Sequence, residues 1–210
     1  MARKGGGSGR SGNGDGEEGG WILLLLGGMV GYAVATQKSQ PQPVDTKTLM
    51  KSMVQHYCTD NKIRAFVGRL FPPQTPLHPV AQIERIFRFV ADQITYLGDP
   101  KGEFVGSPVD VLETRVGDCD CKATLLATLL EAAGFHTRFV FIPRHVYVEV
   151  GISTADRQSL PQGSVSREDH GKVWVPLEST GHGNPIGWID RKAASEAYMS
   201  GEMKILDNRA

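Results

Sequence analysis

Residues 119–134 read CDCKATLLATLLEAAG, and this run constrains the fold more than any other part of the chain. Ala123–Ala133 is apolar and strongly helix-forming, and Gly134 is a natural stop because glycine accepts the left-handed conformation that closes a helix. Strand-like runs follow at Thr137–Ile142, His145–Val150 and Val173–Leu177. Upstream, Thr46–Tyr57 reads as a helix and Pro72, Pro73, Pro76 and Pro79 mark a loop. Val80, Ile83, Phe87, Val90 and Ile94 recur at helical spacing, and Ile86 and Phe89 widen them into a core-facing stripe. The segment from Gly98 to Cys119 is loop-rich, with a short turn of helix expected at Val109–Glu113. Helices, then a central helix, then strands predict an α+β fold with an antiparallel sheet.

The apolar alternation suggests how the last two strands pair. With Val150 opposite Val173, Val148 opposite Val175 and Val146 opposite Leu177, one face becomes wholly apolar, as a sheet packed on a helix requires. The same register sets His145 directly opposite Glu178, within reach of a side-chain hydrogen bond. The polar segment Gly151–Lys172 between these strands is far longer than the roughly two to five residues a hairpin needs. It reads as a solvated, disordered insertion, with a lid as the alternative. Trp174 shares a face with Glu149 and is expected to pack there. Asp169, His170 and His182 read as surface residues, and Asp190–Met203 as a final helix.

Charge excludes one class of function. The chain has 23 basic and 23 acidic residues, a balance that argues against a nucleic-acid partner. Glycine is in excess only locally: 12 of the 25 lie within residues 1–31. Residues 1–20 therefore read as a disordered tail. Residues 21–37 read as a hydrophobic helix inside an uncharged run from Gly19 to Gln37. At 1.5 Å per residue that run spans roughly 28 Å, about one hydrocarbon core. A single-pass membrane anchor is the favoured reading. Cleavage of a signal peptide near Ala35, with secretion, is the alternative, and the acidic flank Asp15, Glu17 and Glu18 speaks against it. Basic residues flank both sides, so orientation stays open. Residues 38–45 form a Pro-rich linker and 46–210 one domain.

Three cysteines, Cys58, Cys119 and Cys121, exclude a fully paired intrachain disulfide set. Cys58 is expected as a small buried residue on a helix. Cys119 stands at the entrance of the long helix, where the dipole stabilises thiolate and free N–H groups can receive an oxyanion. His145 is the natural base and Glu178 the carboxylate to orient it, which makes a nucleophilic acyl-transfer site. Two plainer readings compete: Asp118 and Asp120 as helix caps, and zinc held by Cys119, Cys121 and His145 or His136. The C-x-C spacing is narrower than the usual gap of roughly two to four residues in zinc sites.

GDCDCKATLLATLLEAAG, HVYVEV and WVPLEST, in that order, together with ITYLGDPKGEFVGSPVDVLETRVGDC, resemble the transglutaminase-like superfamily, and within it small bacterial and phage-encoded members. The resemblance covers about residues 80–181. It implies a papain-like core, a nucleophile at Cys119, a general base at His145 and an orienting carboxylate at Glu178. Glu178 stands where the family usually has aspartate, and Cys121 where relatives often carry a second acid. The implied activity is a cysteine peptidase or amidase, or a transglutaminase, acting through a thioester on a protein or peptide substrate, without metal or organic cofactor. The alternative is a catalytically inactive, membrane-tethered binding module of the same fold. Oligomeric state is not implied.

Overall fold

The computed structural model describes residues 45–71, 76–98 and 104–210. The tail, apolar helix and spacer expected within residues 1–44, with Pro72 and Pro73, lie outside them. Among the described residues no helix is long and apolar enough to cross a membrane.

The helices start where local chemistry tells them to. Asp45 caps α1 (Thr46–Tyr57) and Asp60 caps α2 (Asn61–Leu70), each carboxylate accepting N–H groups of the first turn. His78 caps α3 (Pro79–Gln93), whose first position holds proline, a residue with no N–H to lose there. Strand β1 (Thr95–Tyr96) follows, then α4 (Pro108–Thr114), which ends on Arg115 at φ 61°, and β2 (Val116–Gly117), which pairs in parallel with β1. Helix α2, the β1–β2 pair and the early start of α5 (Cys119–Ala132) add to the elements expected from sequence. Two-residue strands are too short to carry a periodic signal.

Helix α5 is the centre of the domain. Residues Asp120–Leu130 are all buried, because α1, α2, α3 and α4 surround it on one side and the sheet covers the other. Leu125, Leu126, Leu129 and Leu130 are fully buried, each contributing about 1.5–3 kcal/mol relative to an exposed side chain. Gly134, at φ 94°, ends the helix as expected, with its N–H bonded to the Glu131 carbonyl.

The chain then builds β3 (His136–Ile142) and β4 (His145–Ile152), joined by a two-residue turn with Arg144 at φ 60°. After a short 3-10 helix (Ala155–Ser159) come β5 (Arg167–Asp169), β6 (Lys172–Leu177), α6 (Arg191–Met199) and β7 (Lys204–Asp207). The five strands form one antiparallel sheet in the order β5-β6-β4-β3-β7. The fold is α+β, a central helix packed on an antiparallel sheet. Residues 151–172 are not a disordered insertion: they extend β4, form the 3-10 helix and add β5 to the sheet edge. Cys58 is also corrected: it caps the C-terminus of α1 and is only half-buried.

The β4–β6 register differs from the expected one by two residues. Val148 faces Leu177, Val150 faces Val175 and Ile152 faces Val173. Side chains alternate with period two, so a two-residue slip leaves the same residues on each face and hydrophobic patterning cannot detect it. The observed register brings Ile152 into the apolar match and places Trp174 across Gly151. A Cβ at Gly151 would lie 3.5 Å from the indole ring.

Candidate active site

Cys119 is the first residue of α5, placed by the Asp118 cap, whose Oδ1 accepts the Cys121 N–H at 3.2 Å. Gly117 permits this start: a Cβ there would come within 2.7 Å of the Cys121 Cβ. Cys119 is half-buried, whereas Cys121 turns into the core. The Cys121 sulfur accepts the Gly106 N–H at 3.1 Å, and burial pushes its thiol up to about 12. The two cysteines of the C-x-C run therefore have separate environments.

His145 opens β4 beside Cys119, close enough for the thiol and its charge to bear on the ring. Its Nε2 meets Glu178 Oε2 at 2.5 Å. Burial of the imidazole opposes its charge, but the bonds to Cys119 and Glu178 and the charge of both outweigh it, raising the ring from 6.5 to about 9. Burial likewise works against the Glu178 carboxylate, yet His145 and the hydroxyl and N–H of Thr180 hold it below its ordinary 4.5.

The geometry of this pair corrects one expectation. In the observed register His145 and Glu178 are not directly opposed; continuing the ladder sets Tyr147 opposite Glu178. Diagonal neighbours have separations of about 7–8 Å, within reach of a long side chain. The extra methylene of glutamate spans that diagonal. The structure thus brings together all three expected residues, Cys119, His145 and Glu178, by a route different from the expected one.

Four features escape the sequence pattern. Thr180 returns two bonds to Glu178 Oε1, a local motif visible only once Glu178 is placed. Tyr96 stands beside the helix start: burial, then the negative charge of Cys119, Asp118 and Asp120, raises its phenol. Asp120 is pushed up to about 7 by burial and by its hydrogen bond and repulsion with Asp118. Lys122 is fully buried, and its Nζ donates to the carbonyls of Ile94 at 2.7 Å and Ala91 at 3.2 Å. Burial lowers it to about 8, against the opposing pull of Asp92 and Glu178.

The zinc reading does not fit this arrangement. Among the described residues, the side chains close enough to share an ion are Asp118, Asp120 and Cys121, with no histidine and without Cys119. His136 is engaged instead by Asp207 at 2.8 Å and by Lys172.

Residues 69–189 match the transglutaminase-like superfamily profile, more than half of the chain. The protein belongs to the transglutaminase-like superfamily. Among solved structures, this transglutaminase-like chain is similar to a candidate cysteine protease from Cytophaga hutchinsonii, at 16% identity and TM-score 0.43 over 78% of this chain and 52% of that one. It is also similar to a candidate protease from Parabacteroides distasonis, at 15% identity and TM-score 0.39 over 50% of this chain and 24% of that one. It therefore spans about half and about a quarter of those two chains. No curated protein matches it.

Proposed function

We propose that the protein is a cysteine acyl-transfer enzyme that hydrolyses peptide or carboxamide bonds. The observation that carries this reading is the imidazole of His145, which is bonded to Glu178 and sits near enough to Cys119 for the thiol to act on its charge. The Cys119 thiolate adds to the substrate carbonyl carbon. The N–H groups at the first two helical positions, Cys119 and Asp120, are among those a helix leaves without internal acceptors, and they receive the developing oxyanion. The C–N bond breaks as His145 gives its proton to the leaving amine, leaving a thioester on Cys119. Water then attacks with His145 as base, releasing the acid and restoring the thiol. Glu178 holds the imidazole and its charge throughout. Water is taken as the acceptor, reaching the thioester past the His145 side chain, which is 27% exposed.

The test is alkylation and turnover together. Iodoacetamide at neutral pH should label Cys119, and Cys119→Ala should abolish both labelling at that position and amide hydrolysis. A Cys119 inert to the reagent, with no turnover difference, would establish the non-catalytic module instead. Products cross-linked to an added amine, rather than hydrolysed, would turn the assignment to transglutaminase.

The uncharged run at residues 19–37 is proposed to tether the domain to a membrane. Full-length protein should resist carbonate extraction from membranes, and a chain beginning at Asp45 should not.

A further inference from the structure

The outer face of the sheet, away from α5, carries a groove of about 510 Å³ that the proposed chemistry does not use. Its floor comes from alternate residues of β4 and β6: Tyr147 and Glu149 from one, Trp174 and Pro176 from the other. The stretch between β4 and β6 and helix α6 build its walls. That volume suits a compact ligand such as a short peptide end.

Three guanidinium groups line the groove: Arg157, Arg167 and Arg191. Arg167 gives one N–H to Glu149 at 2.8 Å, while its Nε is buried with no partner. Among the described residues Arg157 and Arg191 enter no ion pair. Behind the floor, Arg138 is 6% exposed and lies between Glu149 and Asp169, with its ring-side face 3.9 Å from Trp174 and its Nη2 buried and unpartnered. Within the groove three guanidinium groups therefore meet one carboxylate, Glu149, and the Nε of Arg167 has no acceptor. With Arg157 and Arg191 unpaired beside it, the groove carries more donors than its own carboxylate can satisfy, which suits an anionic ligand. The buried aromatic floor of Tyr147 and Trp174 supplies the apolar half of a binding site.

The groove lies on the same two strands as the His145–Glu178 pair. The row His145, Tyr147, Glu149 runs along β4, and the row Trp174, Pro176, Glu178 runs along β6 and just past its end. Tyr147 and Pro176 are thus each two residues, about 7 Å, from the His145–Glu178 pair.

From this we infer that the groove is a substrate subsite for a carboxylate on an apolar body, such as the C-terminal residue of a peptide cleaved at Cys119. The inference rests on the enzymatic reading above and names the substrate class of that same site. A carboxylate fits better than a phosphate dianion because Glu149 lines the same groove and repels a second negative charge. Planar guanidinium groups also bind carboxylate in paired hydrogen bonds.

Calorimetry on the intact Cys119→Ala protein tests this without turnover. The probes are acetyl-Gly-Leu-Phe with a free C-terminus, the same peptide as its C-terminal amide, and inorganic phosphate. The free acid should bind at least about tenfold more tightly than the amide, the worth of one charge-assisted hydrogen bond. The double variant Arg157→Gln, Arg191→Gln alters only exposed side chains and should lose that preference. In the otherwise wild-type chain the same pair should raise KM for acid-ended substrates, leaving kcat and Cys119 alkylation unchanged. Equal binding of acid and amide, unchanged binding in the double variant, or phosphate competing as strongly as the free acid would overturn the subsite. An inert Cys119 would sink the enzyme reading instead, and the two failures are read by different measurements.

Discussion

On the inner face of β4 and β6, Val146, Val148, Val150, Ile152, Val173, Val175 and Leu177 are buried against α5. The alternate positions on the outer face hold His145, Tyr147, Glu149, Trp174, Pro176 and Glu178. The inner residues are held by area removed from water, which has no direction and survives a two-residue slip. The outer residues are held by pairings with definite partners and lengths: Glu149 with Arg138 at 2.7 Å and Arg167 at 2.8 Å, and Glu178 with His145 at 2.5 Å. The inner face gives the strands their reason to pack, and the outer face gives particular residues their reason to meet.

The sharpest way to break this contrast is to delete chemistry from the outer face. Cys119→Ala and His145→Ala should each lower amide turnover by about 10³-fold or more. Thermal unfolding should show both variants still folding cooperatively. Leu177→Ala, on the inner face, should cost about 2–5 kcal/mol and leave the pH dependence of Cys119 alkylation unmoved. Next in size is Arg138→Met, which removes the buried partner of Glu149 and leaves it only Arg167; it should cost about 1–3 kcal/mol in urea unfolding. Adding Glu149→Met should recover part of that loss, because it removes the buried carboxylate that Arg167 alone must otherwise satisfy.

Titration sharpens the contrast further. His145 rises from 6.5 in the unfolded chain to about 9 in the folded one, so its stabilisation is fully present below pH 6.5 and lost as pH rises through about 9. Glu178 is held below 4.5, so on the acid side its contribution is lost as pH falls beneath that value. The stability gap between the wild type and Glu178→Gln should therefore be widest near pH 5–6 and narrow as pH rises through about 9. A gap independent of pH would mean that the pair does not ionise as described. The smallest effect belongs to Glu178→Asp. Withdrawing the carboxylate by one methylene from a diagonal contact should lower kcat about 10–100-fold, with thermal stability nearly unchanged. If aspartate works as well as glutamate, the two residues stand directly opposed after all.

The two faces also mark what can be read from the chain itself. Alternating valines disclose the inner face and the strands, and the caps and the stop at Gly134 disclose α5. Cys119 is legible because a thiol at a helix entrance is unusual, and His145 and Glu178 because they stand where two strands meet. The register is illegible for a physical reason: both registers bury the same side chains, and only the seat of Trp174 on Gly151 and the extra Ile152–Val173 pair distinguish them. Strands β1 and β2 are too short to show a period. Helix α2 does show one in Ile63, Phe66, Val67 and Leu70, with Asp60 as its cap. Lys122 is hidden because a charged residue on a helix ordinarily marks the solvated side, and α5 has none along Asp120–Leu130.

Lys122 also bears on the fate of an acyl group carried by Cys119. It is the next amine along the helix, three residues on, and with its equilibrium lowered to about 8 an appreciable fraction is free base at neutral pH. On the proposed mechanism, an untethered amine there would compete with water for the thioester. The carbonyls of Ala91 and Ile94 hold its nitrogen at the end of α3 instead. On that mechanism, the same two bonds that fasten α5 to the end of α3 would also withhold the nearest amine along the helix from the thioester.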